Sequence, residues 1–204
     1  MKILHYVHVL PDSVRLDGCP LTVESQGAGL LAELYRGWMK DYPKFFKMDL
    51  LSKLGVIATE LLVAEDTDRF TPREDRAVLL LSRTGPLCDD RLYLQTIAPE
   101  NYFPSPALFV YTLANIVTGE IAIRNKYAGD TTAFELPAFS AAQIVETVAT
   151  AFEDRTTTSA VCGWAEAPDP DHFEALLMTV SRDNDLGGIP FTEDNILKIK
   201  QNLL

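Results

Sequence analysis

Apolar positions change their spacing along this chain, and each change marks an element. Residues 2–10 carry Ile3, Leu4, Tyr6, Val7, Val9 and Leu10 and end at Pro11-Asp12, which reads as a strand. Ser13–Gly29 reads as a loop, punctuated by Gly18, Pro20, Gly27 and Gly29. Leu30–Met39 returns to helical spacing, and Asp49 is placed as the N-cap of a helix over Leu50–Ala64. That helix puts Leu50, Leu54, Ile57, Ala58, Leu61 and Leu62 on one face and Ser52, Lys53, Thr59 and Glu60 on the other. RAVLLLS (76–82) is a nearly unbroken apolar run, as expected of a strand covered on both faces.

A short helix is expected over Asp89–Ile97, then a helical tract over Pro106–Lys126 that reads as a core helix pair, with Gly129 at its C-cap region. Thr131–Leu136 reads as a strand, Pro137–Phe139 as a tight turn, and Ser140 as the start of an alanine-rich helix. Its apolar positions leave only a narrow polar strip of Gln143, Glu146, Thr147 and Thr150, so it is expected to be packed closely between other layers. Residues 158–164 follow as a buried strand, 165–171 as an exposed acidic loop and 173–182 as a further strand. Residues 183–188 turn the chain, and Thr192 or Glu193 starts a last helix over Asp194–Leu203. This alternation predicts an α/β fold: one domain over residues 1–204, a mixed β-sheet layered with helices around the buried alanine-rich helix.

Composition narrows the function classes. With 204 residues, 47% hydrophobic and 23% charged, the chain is long enough to bury a sizeable core. A net charge of −11 with scattered Lys and Arg argues against a nucleic-acid or anionic-membrane partner. The longest apolar tract, Pro106–Ile123, contains Glu120 and is not expected to cross a membrane. Three cysteines without a CxxC pair, and an N-terminus that lacks the pattern of a signal peptide, predict reduced thiols and a cytoplasmic protein.

A strand driven into a helix is where many α/β enzymes expose a nucleophile, because the turn presents one side chain at a helix N-terminus. Here the turn offers Ala138 and Phe139, which cannot attack. Ser140 is the one hydroxyl at the elbow, and with no histidine or lysine placed beside it by sequence it reads as a helix N-cap in preference to a nucleophile. His5 and His8, three apart, fall on opposite faces of a strand and read as a half-buried pair, not metal ligands. Cys162 reads as inert packing on a buried strand. Glu166, Asp169, Asp171, His172 and Glu174 read as a solvated acidic loop, and Asp183, Asn184 and Asp185 lack calcium-loop spacing. Glu120 is paired with Arg124 four residues on, or lines an interface. No metal and no cofactor is expected.

Several segments resemble, in order, the N-terminal half of the β-ketoacyl-acyl-carrier-protein synthases, the condensing enzymes of the thiolase fold. They are KMDLLSKLGVIATELLV (47–63), RAVLLLSRTG (76–85), NYFPSPALFVYTLANIVTGEIAIRNKYAGDTTAF (101–134) and AFEDRTTTSAVCGWAE (151–166). In that family the elbow reads approximately Thr-Ala-Cys-Ala-Ser/Thr, and its cysteine takes the acyl chain. LPAFSAA (136–142) puts Ala138 in the cysteine position, and a slip of one residue puts Phe139 there. The family's catalytic histidines belong to a C-terminal half near whose start this chain stops.

The resemblance therefore implies a thiolase-like half without a catalytic residue. Its expected role is a chain-length-factor-like or scaffold subunit in fatty-acid, polyketide or aryl-polyene-type biosynthesis. The strand Thr131, Thr132, Ala133, Phe134, Glu135, Leu136 would be the dimer contact, and Ala138, Phe139, Ser140 and Asn115 would wall a substrate pocket. The implied partner is a second copy or a ketosynthase. An acyl carrier protein is a further partner only if Lys44, Lys47, Arg124 or Lys126 form a local basic patch, because carrier proteins are acidic. Two alternatives remain: an acyltransferase or hydrolase using Ser140, and a ligand-binding or assembly protein that keeps only the fold.

Overall fold

The computed structural model describes residues 1–204, the side chain of Asn101 excepted. One sheet organises the chain. Its path runs β3 (Cys19–Leu21), β2 (Ser13–Leu16), β1 (Lys2–Leu10), β7 (His172–Ser181), β6 (Ser159–Asp169), β4 (Arg76–Ser82) and β5 (Thr131–Glu135). A short β8 (Ile189–Pro190) pairs with the start of β1. The strands from β3 to β6 are antiparallel, whereas β6, β4 and β5 are parallel, so the sheet is mixed as expected.

Helices cover both faces. Alternate residues of β4 point to opposite sides. Val78 and Leu80 meet α2 (Leu50–Leu62) and α5 (Ile116–Asn125), with α1 (Ala28–Leu34) beyond. Ala77, Leu79 and Leu81 meet α6 (Ala141–Ala151) and α7 (Glu193–Lys200). The remaining helices, α3 (Leu87–Thr96) and α4 (Pro106–Tyr111), lie in the connection between β4 and β5.

Several expectations hold in detail. Asp49 caps α2, accepting from the Leu51 and Ser52 amides at 3.0 and 3.1 Å. Thr192 caps α7 and Ser140 caps α6. The run 76–82 is buried at every position.

Others are corrected. The alanine-rich helix α6 is not enclosed: Ala141, Ile144 and Val148 are buried, whereas Ala142, Ala149 and Thr150 are exposed. It covers the sheet beside the edge strand β5 and leaves its outer side exposed. The enclosed helix is α2, in which only Lys53 escapes full burial. Its polar residues are satisfied internally. Thr59 donates to the Gly55 carbonyl at 2.9 Å, and Glu60 is held by Arg69 and Arg124 at 2.5 and 3.2 Å. Arg124 is thereby taken from Glu120, which instead binds Lys44 at 2.6 Å and accepts from the Tyr111 hydroxyl at 3.0 Å.

The stretch 13–29 contains the β2–β3 hairpin, whose strands of four and three residues are too short to carry a periodic signal. Residues 165–169 continue β6 and pair with β7, so they are not a loop. Lys126, not Gly129, takes the left-handed position that ends α5. Of the expected core helix pair, α4 has no buried residue.

Candidate functional site

The parallel strands β4, β5 and β6 end at one edge of the sheet, with Ser82 opposite Glu135 and Leu81 opposite Trp164. The chain reaches β5 over one face through α3–α5, then crosses back through α6 on the other face to β6. β4 lies between them. A crevice outside the carboxyl ends of strands at such a reversal is the usual ligand position in open α/β sheets.

Two turns line this edge. The first is the exit of β4, residues 82–85, which is held by the carboxylate of Glu166. Its Oε2 accepts from the Ser82 hydroxyl at 3.0 Å and from the Arg83 and Thr84 amides at 2.7 and 3.1 Å. Its Oε1 accepts from the Thr84 hydroxyl at 2.6 Å. The Ser82 oxygen in turn accepts from the Gly85 amide at 3.1 Å. Glu166 is 8% exposed, and a buried carboxylate is tolerated when its lone pairs are filled in this way.

The second turn is the elbow between β5 and α6. The Leu136 amide donates to the Ser82 carbonyl at 2.8 Å and ties the two turns together. Phe139 packs in a T-shaped arrangement against Trp164 at 5.7 Å between ring centroids, with the Lys200 ammonium over its ring at 4.6 Å from the centroid. Ser140 accepts the Gln143 amide at 3.2 Å, which is the cap geometry. The methyl group of Ala138 is exposed at the tip.

The remaining sequence-derived residues fall as follows. Ala138, Phe139 and Ser140 are contiguous at the elbow, whereas Asn115 is exposed at the start of α5 and makes no cap bond. Thr131–Glu135 forms the outermost strand, with Phe134 47% exposed. Each histidine is engaged by a carboxylate and none bonds Ser140 among the described residues: His5 by Asp17, His8 by Glu174 and His172 by Asp169, all at 2.8 Å. The acidic cluster is dispersed. Glu166 holds the β4 turn, Asp169 binds His172, and Glu174 is shared by His8 and Lys200. Burial pushes the Cys162 thiol pKa well above its ordinary value and keeps the group neutral. Of the basic quartet, Lys44 and Arg124 are engaged by carboxylates, leaving Lys47 and Lys126 exposed.

Sequence reading missed Glu166 as a structural anchor. The run of small and apolar residues through SAVCGWAEA, interrupted only at Glu166, was the available signal, and following it carries β6 past Glu166. It also missed Asp89, which is 3% exposed in the first turn of α3 and whose Oδ2 has no hydrogen-bond partner among the described residues. Burial first, then the like charges of Asp49 and Asp90, raise its pKa to about 6.

A carboxyl with a raised folded pKa stabilises the fold in its protonated form. That contribution is complete below the unfolded value of about 3.9 and is lost as the pH climbs through about 6. Asp89→Asn is expected to flatten this loss and raise the melting temperature at pH 8 but not at pH 4. Thermal unfolding across that range checks it, and equal shifts at both pH values would refute it.

Comparison with known proteins places this geometry. No protein-family model and no curated protein matches the sequence. Among solved structures, the chain is similar to the ishigamide ketosynthase/chain length factor, with a TM-score of 0.65 at 16% identity, covering 93% of this chain and 64% of that one. It is similar to a ketosynthase in complex with its chain length factor from Xenorhabdus doucetiae, with a TM-score of 0.55 at 14% identity, covering 100% and 92%. A third likeness is to the type II polyketide synthase acyl-carrier protein in complex with its ketosynthase bound to the hexaketide, with a TM-score of 0.60 at 10% identity, covering 89% and 62%. The chain thus spans somewhat under two thirds of the first and third chains and nearly all of the second. These likenesses give the fold: a thiolase-like α/β half with a mixed sheet. Among the described residues, no helix is long and apolar enough to cross a membrane.

Proposed function

We propose that this chain is a non-catalytic, ketosynthase-like subunit that pairs with a ketosynthase, in the manner of a chain length factor. The observation that carries this reading is the elbow. Its architecture is that of a nucleophile turn, yet Ala138 stands at the tip and Ser140 is spent on capping α6. A covalent acyl intermediate needs an activated nucleophile hydrogen-bonded to a base, and among the described residues none of the three histidines bonds Ser140: each is engaged by a carboxylate. The pathway class that follows from the likenesses is fatty-acid, polyketide or aryl-polyene-type synthesis, and a carrier protein would enter through the ketosynthase.

The pairing surface proposed is the outer edge of β5. Asp130 and Leu136 bond to β4 through their backbones, so the alternation of a parallel ladder turns the N–H and C=O groups of Thr131, Ala133 and Glu135 outward. An unpaired strand edge is a template for another strand. The pocket role of Ala138, Phe139, Ser140 and Asn115 belongs to the same reading: the partner would supply the missing wall.

Co-expression with the candidate ketosynthase tests it. The two chains are expected to co-purify. Ala133→Pro removes one outward donor without touching the β4 ladder, and Phe134→Asp charges the exposed rim; each is expected to weaken pairing at least tenfold while the melting temperature of the lone subunit stays within a few degrees. Failure to recover any ketosynthase, or pairing unchanged in both variants, would overturn the proposal. The acyltransferase reading makes a different demand: an acyl adduct after incubation with acyl-thioesters that is lost in Ser140→Ala. None is expected, and that variant should cost only about 1 kcal/mol of stability, the value of a helix cap.

A further inference from the structure

At the opposite end of β4 from the elbow, about 20 Å away by strand rise, the sheet carries a cleft of about 480 Å³. Three guanidiniums line it, those of Arg73, Arg76 and Arg182, in a protein whose net charge is −11.

These arginines are not equally free. Arg73 is engaged by Asp75 at 2.8 Å. Arg76 is 9% exposed, and its Nη1 donates to Asp66 and the Tyr127 hydroxyl at 2.7 and 3.0 Å. Its Nε donates to the Ser159 hydroxyl at 3.2 Å, so that among the described residues its hydrogen bonds engage Nε and Nη1 and not Nη2. Arg182 uses Nη2 to hold the carbonyls of Phe152 and Asp154, and no carboxylate lies within ion-pair distance of it among the described residues.

Two hydroxyls complete the set. Ser159 and Ser181 sit directly opposite one another across β6 and β7, both nearly buried. The Ser159 oxygen accepts from Arg73 and Arg76, and the Ser181 oxygen accepts from the Asp183 amide at 3.1 Å. Each oxygen therefore receives, and each keeps its own hydrogen to give. The one acid lining the cleft, Asp183, has turned its Oδ1 back to the Asp185 amide at 2.8 Å. Leu4 and Leu186 supply an apolar side wall.

The cleft thus gathers more unengaged donors than acceptors: Arg76 Nη2, the free nitrogens of Arg182 and two serine hydroxyls against the one carboxylate of Asp183, whose Oδ1 is already taken. They come from three different strand ends, which suits an anion that offers oxygens in several directions better than a planar carboxylate. We infer that this cleft binds a phosphate group carried by an organic ester, with the ester's apolar part against Leu4 and Leu186.

Thermal unfolding and titration calorimetry with inorganic phosphate and with phenyl phosphate test this at constant ionic strength, using chloride as the reference. Both phosphates are expected to raise the melting temperature above the chloride reference, with phenyl phosphate bound at least threefold more tightly. Arg182→Gln is expected to weaken both at least tenfold. Because Arg182 also supports two carbonyls, Leu186→Glu serves as a second variant: the residue is exposed, and the added charge should weaken both phosphates without lowering stability in their absence. Binding of inorganic phosphate alone, with no gain from the phenyl group, would overturn the ester assignment and leave a simple anion site. No shift beyond the chloride reference, or binding unchanged in both variants, would overturn the site itself.

Discussion

Gly163→Ala is expected to leave little or no folded protein. Gly163 lies in the middle of β6, between β7 and β4, with φ at +144°, a backbone conformation that residues with a side chain rarely adopt. A Cβ built there would fall inside the van der Waals surface of the Leu176 carbonyl oxygen and lie 3.0 Å from the Leu177 Cα. Both obstacles are backbone atoms of fully buried residues on the neighbouring strand, so relief requires β6 and β7 to part. A clash of this kind belongs to the small class of substitutions that cost more than about 4 kcal/mol, a large share of a domain's whole stability.

Far-ultraviolet circular dichroism and soluble yield measure the outcome. Gly119→Ala is the control. Gly119 is helical, its added Cβ would meet nothing within 4 Å, and the change should stabilise by about 0.5–1 kcal/mol. A soluble, cooperatively melting Gly163→Ala protein would show that the sheet does not have this geometry.

Glu166→Ala has the second largest expected effect, and it bears on the candidate site. The substitution strands two hydroxyls and two amides in a half-buried turn. Hydrogen bonds to a charged acceptor are worth more than neutral ones, and losing one partner exposes the desolvation cost of those left behind. About 3 kcal/mol is expected, which for a domain of this size lowers the melting temperature by about 6–12 °C.

The loss should be local. The Leu136 amide hangs from the Ser82 carbonyl, and Glu135 packs where a Cβ on Gly85 would be, so a loosened β4 turn loosens the end of β5. Hydrogen exchange is therefore expected to accelerate most at the Arg83 and Thr84 amides, and pairing with the proposed ketosynthase should weaken as well. Unchanged protection at those two amides would show that Glu166 is not what holds the turn. Glu166→Gln keeps the shape but replaces one acceptor by a donor, and should fall between wild type and alanine.

Much of the architecture is legible from local patterns because local physics produces it. The nearly unbroken apolar run 76–82 is the pattern of a strand covered on both sides. The caps at Asp49, Ser140 and Thr192 follow from short polar side chains standing where amides would otherwise be unpaired. The alanine at the elbow tip is a statement of composition and needed no coordinates.

What failed locally was decided by partners distant in sequence. AEAPD looks like a solvated loop until β7 pairs with it, and Glu166 looks like one more surface acid until the β4 turn, more than eighty residues earlier, brings it four donors. Glu120 and Arg124 have ideal helical spacing for each other, yet the more deeply buried Glu60 takes Arg124, and Glu120 is satisfied instead by Lys44 and the Tyr111 hydroxyl. The degree of burial of α2 and α6 was likewise reversed. Both carry wide apolar faces, but burial depends on what lies outside a helix, and only the packing of α1, α5 and the sheet supplies that for α2.

The sequence by itself determined most of the helices and the core strands, their α/β alternation, and that the turn before α6 offers alanine and phenylalanine, since each is written in residue type and near-neighbour spacing. Only the tertiary structure decided that β5 is an open edge, that Glu166 anchors the turn beside it, and that arginines and serines from separate strand ends meet in one cleft. Those facts depend on which strands become neighbours, and strand order is fixed by long-range packing that no local pattern records.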